Sequence, residues 1–567
     1  MPFAVYWKLR LFVRVAEDEV MNKPIDEYQE AFDKGVLLQT IHDKMIGHWD
    51  DLDTQVEELI FLHNSGRINL VSCFSTLRNV ENRAPDFFST RHILEKALPK
   101  LTAPVAAAMD CVLILLNEAG QDMAAGMILP PFVDFCSAEG SRPKEALLLF
   151  HENPDKYANL LPQIVVAGAR SDPEFFVEET IQLSRNEKVE IRRIAIFALG
   201  LIEYSKINST YQEKVLSCFE LAVVQENDDQ LLGRLTRSAF AVYKVRQFSI
   251  ERVTSIIEKA LSKGTDYTLH AAAELFGSEF EIFPEVLIDI VLSYLAHVKL
   301  DNKGTINKID YGLMQLLKRG DKNKAINLLE AILLGNPETI SLDVFQSTLH
   351  ELYGNPNKTL DQIITRWFLK GDKVLGEGIS AIVNLAPDKN VQLEIDPSEF
   401  DISDPMCLIF LARKAIGYLF HTPVTAASII ISLIDIAPSD EIIQILIDLL
   451  FDPLSINYPG MVLDYLKSVK NVSDRVTSSI KMVLGYFDGY IKKINAARNI
   501  PELHPSQDQR EIYNRYFSRM MSEAVSKAQE DSVFLSLVSK SVLLYGRKSI
   551  DYVNSPDGQS NRMEIPL

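Results

Sequence analysis

The sequence is poor in nearly everything that would announce a chemistry. Five cysteines (Cys73, Cys111, Cys136, Cys218, Cys407) lie far apart in apolar surroundings, with no CxxC pair. That pattern excludes a disulfide framework or a zinc knuckle and reads as small buried hydrophobes in a reducing compartment. No run of 18 apolar residues occurs, and the nearest approach, "APVAAAMDCVLILL" at 103–116, is broken by Asp110. The opening "MPFAVYWKLRLFVRVAEDEV" does not read as a secretory signal, because Lys8, Arg10 and Arg14 interrupt any apolar stretch. A soluble, cytoplasmic protein with no membrane partner is expected. Basic surplus is missing too. A net charge of −19 argues against a chain whose main business is coating nucleic acid or anionic lipid.

Reactive motifs are equally scarce. There is no GxxxxGK[ST], no GxSxG and no strand-anchored GxGxxG. His42, His48 and His63 gather near Asp50 and Asp51, but their spacings of six and fifteen miss the three or four that put two ligands on one helix face. The acidic run "EIDPSEFDISDP" at 394–405 lacks the D-x-D-x-D-G order of a calcium loop and reads as a solvated loop. No catalytic residue, metal ligand or cofactor is assigned, and a non-enzymatic role is expected.

What is present is an ordinary globular composition, 47% hydrophobic and 24% charged, over a length that suits roughly three or four domains. Within it, "NEKVEIRRIAIFALGLIEY" (186–204) is apolar almost all the way round, through Val189, Ile191, Ile194, Ala195, Ile196, Phe197, Ala198, Leu199, Leu201 and Ile202. Such a helix must be buried on every side. In a long chain, stacked helical layers achieve that.

Stacking predicts that the pattern returns, and it does. Ala195-x-x-Ala198-Leu199-Gly200 is matched by Ala412-x-x-Ala415-Ile416-Gly417, with weaker copies at Ala272–Gly277 and Gly378–Val383. Small residues three apart share a helix face and allow close approach. The offsets of 77, 183 and 217 are loose multiples of roughly 35–45 residues, the length of a two-helix repeat. Turns recur as well. "LLGNP" (333–337) and "LYGNP" (352–356) predict left-handed glycine caps at Gly335 and Gly354, followed by proline. "LKRGDK" (317–322) and "FLKGDK" (368–373) place Gly as terminator and Asp321 or Asp372 as the next helix cap. "DIAPSDEIIQILIDLLF" joins two helices through Ala437–Asp440. Short turns of this kind make antiparallel helical hairpins.

The segment "IRRIAIFALGLI" resembles the second helix of a HEAT repeat, through Ile191, Arg192, Ala195, Ala198 and Leu199. The resemblance is sharp here, fair around Ala412 and degenerate elsewhere. It implies an all-α fold, an elongated α-solenoid of HEAT-like (armadillo-type) hairpins, leaving a place for a small terminal β-hairpin. The expected organisation is an N-terminal helical region at 1–140, a repeat array at 141–500 beginning after "CSAEGSRP", and C-terminal capping helices and hairpin at 501–567. The first sixteen residues fit a strand or a helix equally. The hairpin is read around Ser555-Pro556-Asp557-Gly558. One enzyme of similar architecture, deoxyhypusine hydroxylase, binds two irons through paired His-Glu dipeptides. The two here, His151-Glu152 and His350-Glu351, are too few and not equivalent in position.

One charge feature stands out. "LLGRLTRSAFAVYKVRQFSIERVTSIIEKALSKG" (231–264) carries Arg234, Arg237, Lys244, Arg246, Arg252, Lys259 and Lys263 against Glu251 and Glu258, an inversion of sign in an acidic chain. Arg192 and Arg193 extend it one repeat earlier. Pairing with acids of the neighbouring layer, which the HEAT resemblance implies for Arg192, accounts for much of it, as do basic stems lying on apolar surface. The alternative use is partner binding through Arg193, Arg234, Arg237, Lys244 and Arg246. Stacked repeats offer large contact surfaces without a reactive pocket, so the expected function is a protein–protein interaction scaffold or adaptor. The alternative is a nucleic-acid-associated HEAT-like protein using the basic patch, disfavoured by the net charge and by few aromatic residues for stacking.

Overall fold

The computed structural model describes residues 27–47, 52–80, 84–244, 248–337, 342–354, 358–388, 390–500, 506–531, 548–554 and 560–566. The reading of residues 1–16 lies outside them. So do His48, Asp50, Asp51, Arg246 and the turn Ser555–Gly558. The fold is all-α, and a two-stranded antiparallel ribbon pairs Lys548–Asn554 with Ser560–Pro566. Among the described residues no helix is long and apolar enough to cross a membrane. By contacts the chain forms two compact units, 1–275 with 281–294, and 276–280 with 295–567. The stretch 141–500 therefore contributes to both.

In the first unit, the helix Leu161–Ser171 packs on Val189–Leu201, which packs on Asp229–Lys244. Alternating with these, Pro173–Leu183 packs on Ser209–Gln225, which packs on Ile250–Lys263. Each helix thus packs on the next but one, and Val189–Leu201 also packs on Pro173–Leu183, the helix before it. The apolar 189–201 helix is explained by this double embrace. Ile191, Ala195, Ile196, Ala198 and Leu199 are all buried, and no residue from Ile191 to Gly200 is exposed. Gly200 lies so close to the neighbouring helix that a Cβ there would sit 2.6 Å from the Ser238 Cα. The second unit repeats the scheme with Thr359–Lys370 on Pro405–Leu419, and that helix on Asp440–Leu449. Ala412 and Ala415 are buried there, as their spacing predicts.

Local signals place the helix ends. Prolines open helices at Pro173, Pro405, Pro423 and Pro459, where a missing N–H costs nothing. Gly320 (φ 92°) and Gly371 (φ 69°), read from the sequence as terminators, are left-handed caps. Gly335 and Gly354 are not. Each is the last residue of its helix, neither has positive φ, and the cap after Gly335 is Asn336 at φ −133°. Asp372 caps its helix by accepting from the Val374 and Leu375 amides, whereas Asp321 pairs with Arg319 instead.

The layers are also tied by side chains. Asp229 accepts from the Thr268 hydroxyl at 2.7 Å and from the amides of Tyr267 and Thr268 at 2.8 and 3.2 Å. Asp310 accepts from the Thr348 hydroxyl at 2.7 Å and from the amides of Ser347 and Thr348 at 2.9 and 2.8 Å. In both, an aspartate early in or within one helix supplies the acceptors that the start of a later helix lacks. The partners are 39 and 38 residues apart. Other ties share this separation: Arg170–Asp134 at 36, Lys214–Glu178 at 36, Lys370–Glu330 at 40 and Ser473–Asp435 at 38.

Candidate functional site

Four arginines in and before the basic stretch, Arg192, Arg193, Arg237 and Arg252, are paired with acids. Arg192 meets Glu226 through two bonds (Nε to Oε1 2.6 Å, Nη2 to Oε2 3.1 Å) and also donates to the carbonyls of Asn186 and Glu187. Arg193 forks onto Asp228, with Nε 2.7 Å from Oδ1. The Arg193 hydrogen bond, against the opposing effect of burial, holds the Asp228 carboxyl below its usual range. Arg237 pairs with Glu274 at 2.7 Å. Arg252 forks onto Glu220 at 2.7 and 2.8 Å and reaches Glu213 as well. Lys263 has a different role. Its ammonium donates to the carbonyls of Val223, Val224 and Glu226 at 2.9, 2.8 and 3.0 Å, closing the end of Ser209–Gln225. A lysine from the next layer thus satisfies carbonyls that the helix itself leaves open.

Arg234 differs from its neighbours. It is half-buried in Asp229–Lys244 and lies over the Phe197 ring, 5.6 Å from its centroid. Among the described residues it has no carboxylate partner. Burial, and then the like charges of Arg193 and Arg237, push its pKa down. Arg193 and Arg237 are each neutralised, by Asp228 and Glu274, so the surplus charge of this face rests on Arg234. Tyr267, on the helix Asp266–Ser278, stands exposed near Arg193. Lys244, at the end of the same helix as Arg234, is itself engaged. The structure thus brings Arg193, Arg234 and Arg237 onto two packed helices, and Arg246 is outside the described residues.

The other sequence features take structural parts. His63 Nδ1 accepts from the Leu70 amide at 3.1 Å, and burial pushes its pKa down, so it serves as a neutral acceptor. His42 lies 3.4 Å from the Thr90 hydroxyl and 3.6 Å from Asp86. In the acidic run, Glu394 pairs with Lys358, while Asp396, Asp401 and Asp404 accept from backbone amides two residues on. Among the described residues no three metal-ligating side chains converge. A cavity of about 230 Å³ beside Arg192 is lined by Ser184, Arg185, Cys218 and Glu226. Burial pushes the Cys218 thiol up, which keeps it protonated and unreactive.

Two structural cations were not singled out in the sequence. Arg91 is buried and donates to the carbonyls of Ala124 and Ala125 and to Glu95. Arg142, also buried, donates to the carbonyls of Phe135 and Leu101 and lies over the Phe135 ring at 4.1 Å. Arg142 sits inside "CSAEGSRP", and apart from its place in that polar break nothing local marks it. Compared with models of known protein families and with curated protein sequences, the chain finds no match in either.

Proposed function

We propose that this chain is a non-enzymatic interaction scaffold, an α-solenoid of HEAT-like hairpins over 141–500 with flanking regions at 1–140 and 501–567. What supports the stacked arrangement is the recurrence of cross-layer ties at 36 to 40 residues, close to one two-helix repeat. The docking face is the one formed by Phe197, Arg193, Arg234, Arg237 and Tyr267. Arg234 is the observation that carries this reading. A half-buried guanidinium with like-charged neighbours and no carboxylate of its own among the described residues is costly to the free protein, a cost the Phe197 ring offsets only in part. An incoming carboxylate relieves that cost. Arginine and tyrosine are also the residue types that concentrate binding energy at protein interfaces. The nucleic-acid reading is weaker, because Arg192, Arg193, Arg237 and Arg252 already hold acids and leave few cations for phosphates.

The test is capture of partners from native lysate by the wild type and by Arg234→Gln, with and without nuclease. The expected result is a protein partner that survives nuclease and is lost from a variant of unchanged melting temperature. Nuclease-sensitive capture would replace this reading with the nucleic-acid one. An Arg234→Gln variant that melts early would make Arg234 a packing residue.

A further inference from the structure

Among the described residues, the first part of the helix Gln507–Asp531 differs from every other long helix. From Ser506 to Met520, and at Ser522 and Glu523, every residue is exposed. A lone helix exposed on all sides is marginal in water, because most helical stability in proteins comes from packing an apolar face. This helix has such a face. Ile512, Tyr513, Tyr516, Phe517 and Met520 are 67, 64, 66, 44 and 43% exposed, and at 3.6 residues per turn they fall within an arc of about 140°. The Tyr513 and Phe517 rings stack at 6.1 Å.

We infer that this stripe is the contact of a homodimer, in which the helices of two copies pack face to face. Two observations select a second copy as the occupant. The first is charge. The whole chain carries −19, so most of its surface repels another copy. The segment 506–523 is balanced instead, with Asp508, Glu511 and Glu523 against Arg510, Arg515 and Arg519. Glu511–Arg515 and Arg519–Glu523 pair along the helix, so this patch adds no repulsion of its own when two copies meet. The second is area. At roughly 200 Å² for each fully exposed large side chain, the stripe offers about 550 Å² per copy. Two copies bury about 1,100 Å², above the roughly 1,000 Å² that a biological interface has to clear and in the range of weak, reversible ones. A two-fold axis presents the same patch on both sides, so one stripe completes the contact.

Sedimentation velocity of the full chain, up to about 100 µM, tests this. The wild type is expected to dimerise. Tyr516→Glu and Phe517→Glu are each expected to weaken the dimer at least about 30-fold, the effect of losing an aromatic hot spot. Circular dichroism of both should match the wild type. Should Tyr516→Glu unwind the helix, Tyr516→Ala serves in its place. Met406→Glu, at an exposed apolar residue elsewhere, should leave the dimer intact. A wild type that stays monomeric at the highest concentration overturns the inference. So does a stripe variant that dimerises normally, or a Met406→Glu variant that dissociates equally.

Discussion

Ala195–Gly200 and Ala412–Gly417 are written almost alike and do different things. The four alanines behave identically, each fully buried. The glycines do not. A Cβ on Gly200 would stand 2.6 Å from the Ser238 backbone, whereas one on Gly417 would meet nothing within 4 Å. The weaker copy sides with the first: at Gly277 a Cβ would come 2.8 Å from the Lys308 carbonyl. The alanine spacing therefore encodes burial of the helix, while the need for glycine depends on how closely the next-but-one helix crosses. That distance is a property of the pair, and one helix's sequence does not contain it.

Gly200→Ala tests the contrast at its strongest. With backbone in the way, overpacking should cost about 3 kcal/mol, seen as an early thermal or urea transition. A variant that melts like the wild type would remove the close crossing. Ala198→Leu, on the same helix, should cost about 2 kcal/mol by overpacking a fully buried site. Gly417→Ala should reverse the sign and stabilise by about 0.5–1 kcal/mol, as alanine does in a helix interior with room for its methyl group. Any destabilisation there would show a neighbour closer than the structure places it.

A second contrast is electrostatic and smaller. Asp229 and Asp361 are both partly or fully withdrawn from water, and their pKa values move in opposite directions. Burial alone would raise Asp229, but the amides of Thr265, Tyr267 and Thr268 and two threonine hydroxyls turn the balance, and it falls below its usual value. Asp361 has the Glu394 amide at 2.9 Å, and burial raises it to about 6. Donor number decides which effect wins. Because Asp361 titrates higher in the folded chain, its ionisation costs stability above pH 6, and that cost fades as the pH falls toward 4. Asp361→Asn should therefore raise stability at pH 8 by a few tenths to about 1 kcal/mol, with the gain shrinking by pH 4. Urea midpoints at the two pH values measure it. A gain independent of pH would assign the effect to something other than charge.

These cases show what the sequence could and could not disclose. Helix class, the apolar 189–201 segment and the caps at Gly320 and Gly371 were legible because each depends on local pattern or backbone conformation. Gly335 misled because an asparagine can follow a helix without positive φ, and Gly354 because it is still part of its helix, without positive φ. The basic stretch was visible as charge, but composition does not name partners. Glu226, Asp228 and Glu274 lie 34, 35 and 37 residues away from the arginines they hold. Arg234 became distinct from Arg193 and Arg237 once those partners were placed, since its distinction is the acid it lacks. The apolar stripe at 512–520 lies in the spacing of its residues, while its exposure depends on what the rest of the chain leaves uncovered.

The clasp between Asp229 and Thr268, repeated by Asp310 and Thr348, has a consequence for how the chain is made. Its arms are 39 and 38 residues apart in a polypeptide of 567, so closing it confines a short loop of chain. Contacts of such low order form quickly, and loop-closure entropy grows slowly with length. Each aspartate can be claimed as soon as the following hairpin leaves the ribosome, before the remainder of the chain has been made. Synthesis at about 5–20 residues per second delivers the next threonine within seconds. The nascent chain is therefore expected to lock layer by layer in the order of translation, with at most a single helical layer waiting, its apolar side open, for the next to arrive.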